Sequence, residues 1–483
     1  MTAGTHPTKP PPASIEPGSF RDRTARVFRA DNEIYRGLTG AASEEWQAVG
    51  RTAFFRRALD RGTIVQTREV DAGPFHPLEA GAKWKTILHH ERIPFISYPY
   101  EWCFGMLKAA ALLQLDLLND ALVEEIILKD ATPFNVQWKG NEPVFIDVTS
   151  LVRWHAGEPW GAYRQFCQLQ LFPLFLQAYK GVSFQPWLRG RIDGIETEDM
   201  ARLVSWRDWL RPGILTHVVA QDRLQRLFGA RAVSVKRELK EAGFQKSIVG
   251  STIRRLRRLV DSLHWNPDRS AWVDYARNNS YDDESARMKE SFVERHVSRR
   301  HGGMVWDLGC NAGRFSRIAA RYADLVIAVD SDHASVERLY RELRTESVRN
   351  VLPLVGNVAD LSPALGWRAL ERQAFVDRGR PDVVLCLALV HHLAITANIP
   401  IDDLVQWLQG LGAELVIEFP LPQDPMVQQL LATRDQAYDD YTLAYFESSL
   451  ASHFEVRERM PLPSGTRVIY QAIPRAVIRR EAI

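Results

Sequence analysis

Between residues 304 and 419 the chain alternates short apolar, β-branched runs with helical patterns, and few folds accommodate that rhythm. MVWDLG is followed by a helix from Arg314, DLVIAVD by a helix from His333, and NVLPLVG by a helical stretch after Ser362. PDVVLCLAL then leads to a helix from Pro400, and AELVIEF closes the series. Strands separated by helices predict a parallel, doubly wound sheet, because parallel neighbours need a crossover long enough to hold a helix. The ending differs: HFEVRERMPL, a PSG turn and TRVIYQAI predict an antiparallel hairpin that closes the sheet. Ligands of such sheets bind beyond the carboxyl ends of the strands, so the residues that follow each strand carry the functional information.

The first strand runs into Asp307-Leu308-Gly309-Cys310-Asn311-Ala312-Gly313. Glycines at 309 and 313 let the backbone turn tightly and approach a ligand, while the helix start offers free N–H groups. A dinucleotide fingerprint would need a second glycine where Asn311 stands. Asp330 ends the second strand and suits the two hydroxyls of a ribose. The third strand ends at Gly356-Asn357, whose side-chain amide could read the edge of an adenine. His391 and His392 follow the fourth strand and are candidate general bases, since imidazole titrates near neutrality. Glu418 and Asp424, at and beyond the fifth strand, are candidates to orient an acceptor hydroxyl or amine, or to cap a helix. Tyr275, Tyr281 and Lys289 precede the glycine turn as candidates for a lid.

Taken in order, the glycine turn, the acid after strand two, the polar residue after strand three and the terminal hairpin resemble class I S-adenosylmethionine-dependent methyltransferases. The resemblance runs from about Tyr281 to Ile473, some two-fifths of the chain. It implies S-adenosylmethionine as cofactor, with Asp307, Gly309, Asn311 and Gly313 around the methionine part, Asp330 on the ribose and Asn357 beside the adenine. One departure is Asn357, which stands where the family usually has an acid; Asp360 is nearby. SAWVDYARNNSYDDESARMKESFVERHV, LALVHHLAI, IEFPLPQDPMVQQLL and RDQAYDDY further resemble bacterial NoeA-type nodulation methyltransferases. That likeness implies a methyltransferase without fixing a substrate; a small-molecule or carbohydrate acceptor is expected, and no metal.

The first half has its own pattern. Ile127 to Asn135 carries Asp130 and Asn135, and the following PVFIDV ends in Asp147 and Val148. These residues resemble the catalytic loop and metal-binding acid of protein kinases and aminoglycoside phosphotransferases. The likeness implies a kinase-like α+β domain with a nucleotide or metal site at Asp130, Asn135 and Asp147. EIYRGL would then place Arg36 where those enzymes have a lysine, Glu44 or Glu45 would pair with it, and IPFISYPYEW would be a hinge. Departures are the absence of a glycine-rich phosphate loop, Leu128 in place of a histidine, and an arginine fork in place of a lysine point charge. The alternative is an accessory α+β domain in which Asp130 and Asn135 stabilise a loop.

The expected organisation is a disordered, Pro-rich lead over 1–20, an α+β domain over 21–219, a basic helical connector over 220–264 and the transfer domain over 265–483. In the connector, Ile253, Leu256, Leu259, Val260 and Leu263 mark one helical face and arginines cover another, which reads as a solvated connecting helix. With 61 basic against 59 acidic side chains, no charge excess points to nucleic acid. Apolar stretches are broken by residues such as Lys108 and Asp116 short of the ~20 residues a membrane span needs, so no membrane partner is expected. Four scattered cysteines form no CxxC pair and suit a reducing cytoplasm. The expectation is a cytoplasmic, two-domain methyltransferase; its rivals are an ATP-binding or phosphotransferase-like protein and a non-enzymatic scaffold.

Overall fold

A computed structural model of the chain describes residues 14–30, 32–70, 84–228, 245–267, 283–434 and 438–476. In the first half, β1 (Ser14–Ile15), β2 (Ala25–Ala30), β3 (Glu33–Leu38), β4 (Thr67–Val70) and β5 (Thr86–His90) form an antiparallel sheet in the order β1-β2-β3-β5-β4. Helices α1 (Gly40–Gly50) and α2 (Ala53–Asp60) lie between β3 and β4, and Thr52 starts α2 by accepting the Phe55 N–H. The Leu- and Ala-rich α3 (Phe104–Val123) buries one broad face, including Leu107, Ala110, Ala111, Leu115, Leu118 and Leu122, in the core. Two small ladders follow, β6 (Ile126–Leu128) with β9 (Leu151–Arg153) and β7 (Val136–Lys139) with β8 (Glu142–Phe145). Helix α4 (Phe172–Lys180) ends at Gly181 in the left-handed region.

The second half contains α5 (Lys246–Ser262), α6 (Asp283–Val297), α7 (Arg314–Ala320), α8 (His333–Thr345), α9 (Ile401–Gly410), α10 (Pro425–Leu431) and α11 (Leu443–His453). Its strands are β10 (Met304–Leu308), β11 (Leu325–Asp330), β12 (Val351–Val355), β13 (Val383–Cys386), β14 (Glu414–Pro420), β15 (Phe454–Pro461) and β16 (Arg467–Pro474). They form one sheet in the order β12-β11-β10-β13-β14-β16-β15. The first five are parallel, and β16 runs antiparallel to both β14 and β15. The expected doubly wound sheet and closing hairpin are therefore present. Strand order reverses between β10 and β13, which opens a crevice beyond their carboxyl ends.

Three expectations need correction. Residues 14–20, assigned to the disordered lead, pair with β2 and form a turn. The helix expected after Ser362 is absent: the stretch before β13 holds only two short turns, Trp367–Ala369 and Phe375–Asp377. Pro363 and Gly366 break the helical period, and the segment instead crosses to the first half. There the buried Arg378 makes paired bonds to Glu101 at 2.5 and 2.7 Å and donates to the Ile96 carbonyl. The described second helix of the connector, α5, is not simply solvated either. Val249, Ile253, Leu256 and Val260 of α5 are buried, Arg257 pairs with Asp116 of α3, and Lys108 donates to the Asp261 and Leu263 carbonyls.

These contacts belong to a hydrophobic core that runs across both halves, joining Phe95 to Trp306 and Phe375, and Trp138 to Tyr340. Among the described residues no helix is long and apolar enough to cross a membrane.

Candidate functional site

The crevice beside β10 opens into a cavity of about 1300 Å³. Its floor is the turn after β10. Gly309 and Gly313 have φ of 75° and 73°, and Gly309 and Cys310 donate to the Val329 carbonyl at 2.8 and 3.0 Å. A Cβ on Gly313 would lie 2.4 Å from Leu339 Cδ1, so both conformation and space require glycine there. Asp307 is buried and accepts the Ser316 hydroxyl at 2.6 Å. Burial, with the charge of Asp330 adding to it, pushes its pKa up to about 6.

Asp330 accepts the Asn311 N–H at 2.7 Å on one oxygen and the Asp332 N–H at 2.8 Å on the other. Its pKa is also raised, first by burial. Each oxygen keeps a second lone pair for a ligand hydroxyl. Asn357 lines the cavity and its amide oxygen accepts the Ala359 N–H. Asp360 instead pairs with Arg189 of the first half and is not part of the lining. The sequence-predicted cofactor residues Asp307, Gly309, Asn311, Asp330 and Asn357 thus line one wall, with Gly313 just behind the turn.

Asp307, buried, and Asp330, half-buried, both carry raised pKa values and suit a ligand with a cationic group, which would lower the cost of ionising them. His391 and His392 border the same cavity after Ala388, a non-glycine residue at φ 52°. Their ring centroids lie 4.2 Å apart. Burial, then His392, Arg467 and Lys289, holds His391 well below the usual imidazole range, so it is neutral at pH 7. Its buried Nδ1 has no hydrogen-bond partner within the chain.

Glu418 and Asp424 do not reach the cavity. Glu418 is fully buried against Lys289 at 2.5 Å and Arg467 at 3.3 Å. Asp424 accepts the Met426 N–H as the cap of α10 and holds the Arg467 guanidinium at 2.7 Å. Arg467 comes from β16, whose antiparallel register sets it opposite Pro420. Lys289 is therefore a buried ion-pair partner, and its ammonium also sits over the Phe315 ring at 4.8 Å. Tyr275 and Tyr281, the other lid candidates, lie outside the described residues.

Sequence reading missed the opposite wall, which the first half supplies: Gln177, Tyr179, Lys180 and Arg211, with His264 and Trp265 alongside. Gln177 is buried and its Oε1 has no partner within the chain. Nothing in the local pattern of α4 marks it as cavity-lining, because the strands it faces lie more than a hundred residues away in the chain.

The residues predicted as a nucleotide or metal site in the first half are only partly brought together. Arg36 donates to Asp147 and to Thr149, rather than pairing with Glu44 or Glu45. Glu45 binds Arg153 instead. Burial alone would raise the pKa of Asp147, but Arg36, Ser150 and Thr149 hold it down at about 2. Asn135 donates to the Ser150 hydroxyl at 3.0 Å, and burial raises the pKa of Asp130. Arg36 thus occupies the side of Asp147 that a cation would take. Among the described residues no group of three or more His, Cys, Asp or Glu is arranged to hold a metal ion.

No family model matches the chain. Among solved structures it is similar to a SAM dependent methyltransferase from Aquifex aeolicus, at 14% identity over 44% of this chain and 100% of that one, with a TM-score of 0.30. It is also similar to the N-methyltransferase NodS from Bradyrhizobium japonicum WM9 in complex with S-adenosyl-l-homocysteine, at 12% identity over 42% and 98%, with a TM-score of 0.31. A curated relative matches far more of the chain. The nodulation protein NoeA of Rhizobium meliloti (strain 1021) is 33% identical over 459 residues, 94% of each chain. With that match running through both halves, this chain belongs to the family of the nodulation protein NoeA.

Proposed function

We propose that the protein is an S-adenosylmethionine-dependent methyltransferase acting on a small-molecule or carbohydrate acceptor. The observation that carries this reading is the pair Asp307 and Asp330, a buried and a half-buried carboxylate on one cavity at the switch point of a doubly wound sheet with a closing hairpin. Asp307 and the backbone from Gly309 to Gly313 would hold the amino-acid part, Asp330 the ribose hydroxyls and Asn357 the adenine edge. When bound, the cofactor supplies an electrophilic methyl on a sulfonium.

His391 is the proposed general base. Its neutral ring and open Nδ1 can take the proton that an acceptor hydroxyl or ammonium gives up as it becomes a nucleophile. The opposite wall, from Gln177 to Arg211, would position the acceptor, so that proximity supplies much of the rate. A cytoplasmic location agrees with four free, buried cysteines. For the first half, the Arg36–Asp147 contact favours a structural role over phosphoryl transfer.

Titration of the full chain with S-adenosylhomocysteine by calorimetry tests the cofactor assignment. Saturable binding is expected, lost in Asp307→Ala and weakened roughly tenfold or more in Asp330→Ala, the loss of about one charged hydrogen bond. Unchanged affinity in both variants would overturn the site.

A further inference from the structure

The turn Trp206–Leu210 is built inside out. Its buried residue is Asp208, 5% exposed, whereas Trp206 is 70%, Trp209 40% and Leu210 90% exposed. Asp208 is held inward by the Ser205 N–H and hydroxyl, by Lys180 at 2.8 Å and by Arg211 at 3.3 Å. The orientation is therefore fixed by bonds, and the two indoles and the leucine are turned outward as its consequence. Leu215 and Leu224, which follow in the chain, and Val182, two residues after the Lys180 that holds Asp208, are exposed as well. Apolar side chains gathered this way on a soluble surface mark a face that something covers.

The charges beside the patch say what kind of surface that is. Arg207 lies over the Trp206 ring at 5.3 Å, Arg223 over Trp209 at 5.7 Å and Arg211 over Tyr179 at 5.0 Å. Exposed tryptophans and a leucine on one turn, with arginines stacked on the indoles, match the boundary between lipid headgroups and acyl chains, where an indole keeps its N–H wet and its ring dry.

We propose that this face docks on an anionic phospholipid surface, with Trp206, Trp209 and Leu210 entering the interface and Arg207 and Arg223 on lipid phosphates. The contact is peripheral and needs no spanning helix. Gly181, Ser183 and Arg211 beside the patch also line the 1300 Å³ cavity. On the methyl-transfer reading, the docked face would therefore bring the acceptor end of the cavity to the bilayer, where an acceptor with an apolar tail is at hand.

Co-sedimentation of the full chain with phosphatidylcholine vesicles, with and without about 30% phosphatidylglycerol, tests the proposal. Binding is expected to the anionic vesicles, with a blue shift of tryptophan emission. The triple variant W206S/W209S/L210S should bind roughly tenfold or more weakly. R207Q/R223Q should lose the part of the binding that salt screens. Absence of binding by the wild-type chain, or equal binding by the triple variant, would overturn it. So would concentration-dependent self-association that the triple variant abolishes in the absence of vesicle binding, which would assign the face to a second copy. Affinity for S-adenosylhomocysteine should be unchanged in the triple variant, so a failed cofactor titration and a failed vesicle assay are read separately.

Discussion

Asp307 and Asp330 illustrate how far single residues can be read from their positions on a strand. Each stands at or just before a parallel strand's carboxyl end, and chain direction alone delivers it to the crevice. Burial then sets their chemistry. The folded pKa of Asp307, about 6, lies above the unfolded value near 3.9, so folding retains its proton between those limits. Stability that is fully present below about pH 4 is lost as pH rises through 6, on the order of 3 kcal/mol in all. Asp307→Asn should therefore raise the unfolding temperature more at pH 7.5 than at pH 4.5, as checked by calorimetry. Ligand affinity runs the opposite way, since a cationic group needs the ionised acid. Affinity for S-adenosylhomocysteine should rise from pH 5 to pH 7 in the wild type and stay low and flat in the variant. Glu418 and Asp424 resisted the same reading because their partner, Arg467, arrives from β16 on an antiparallel neighbour, which strand order in the sequence does not announce.

At the scale of elements, the regular strands and helices followed their periodicities, whereas two segments were decided by what they cross to. The stretch before β13 carries enough apolar residues to read as a helix, yet it runs irregularly to bury Arg378 on Glu101. Removing one partner would leave the other charge buried. Arg378→Ala should cost about 3–5 kcal/mol by urea unfolding, and E101Q/R378M should recover most of it by exchanging the pair for groups of similar size. A loss under 1 kcal/mol in the single variant would mean that the pair is not a strut between the halves. Helix α5 teaches the same lesson: its apolar face was visible, but the partner, α3, was not, so a packed helix looked like a solvated connector.

For the whole molecule, the core shared by Phe95, Trp306 and Phe375 makes the two halves energetically dependent. Calorimetric unfolding should show one transition, with calorimetric and van't Hoff enthalpies in agreement; two resolved transitions would refute that dependence. The cavity has the same origin, with the turn after β10 on one wall and Gln177 to Arg211 on the other. The sequence by itself determined the doubly wound sheet, its closing hairpin and the residues that follow β10 and β11 into the cavity, because 2- and 3.6-residue periods and glycine turns are local properties. Only the tertiary structure decided which buried charges are paired, that Arg36 occupies Asp147, that an acid lies inside and two indoles outside the turn at 206–210, and what faces the glycine-turn wall of the cavity. Those outcomes depend on contacts between residues far apart in the chain, whose burial and partners no local pattern encodes.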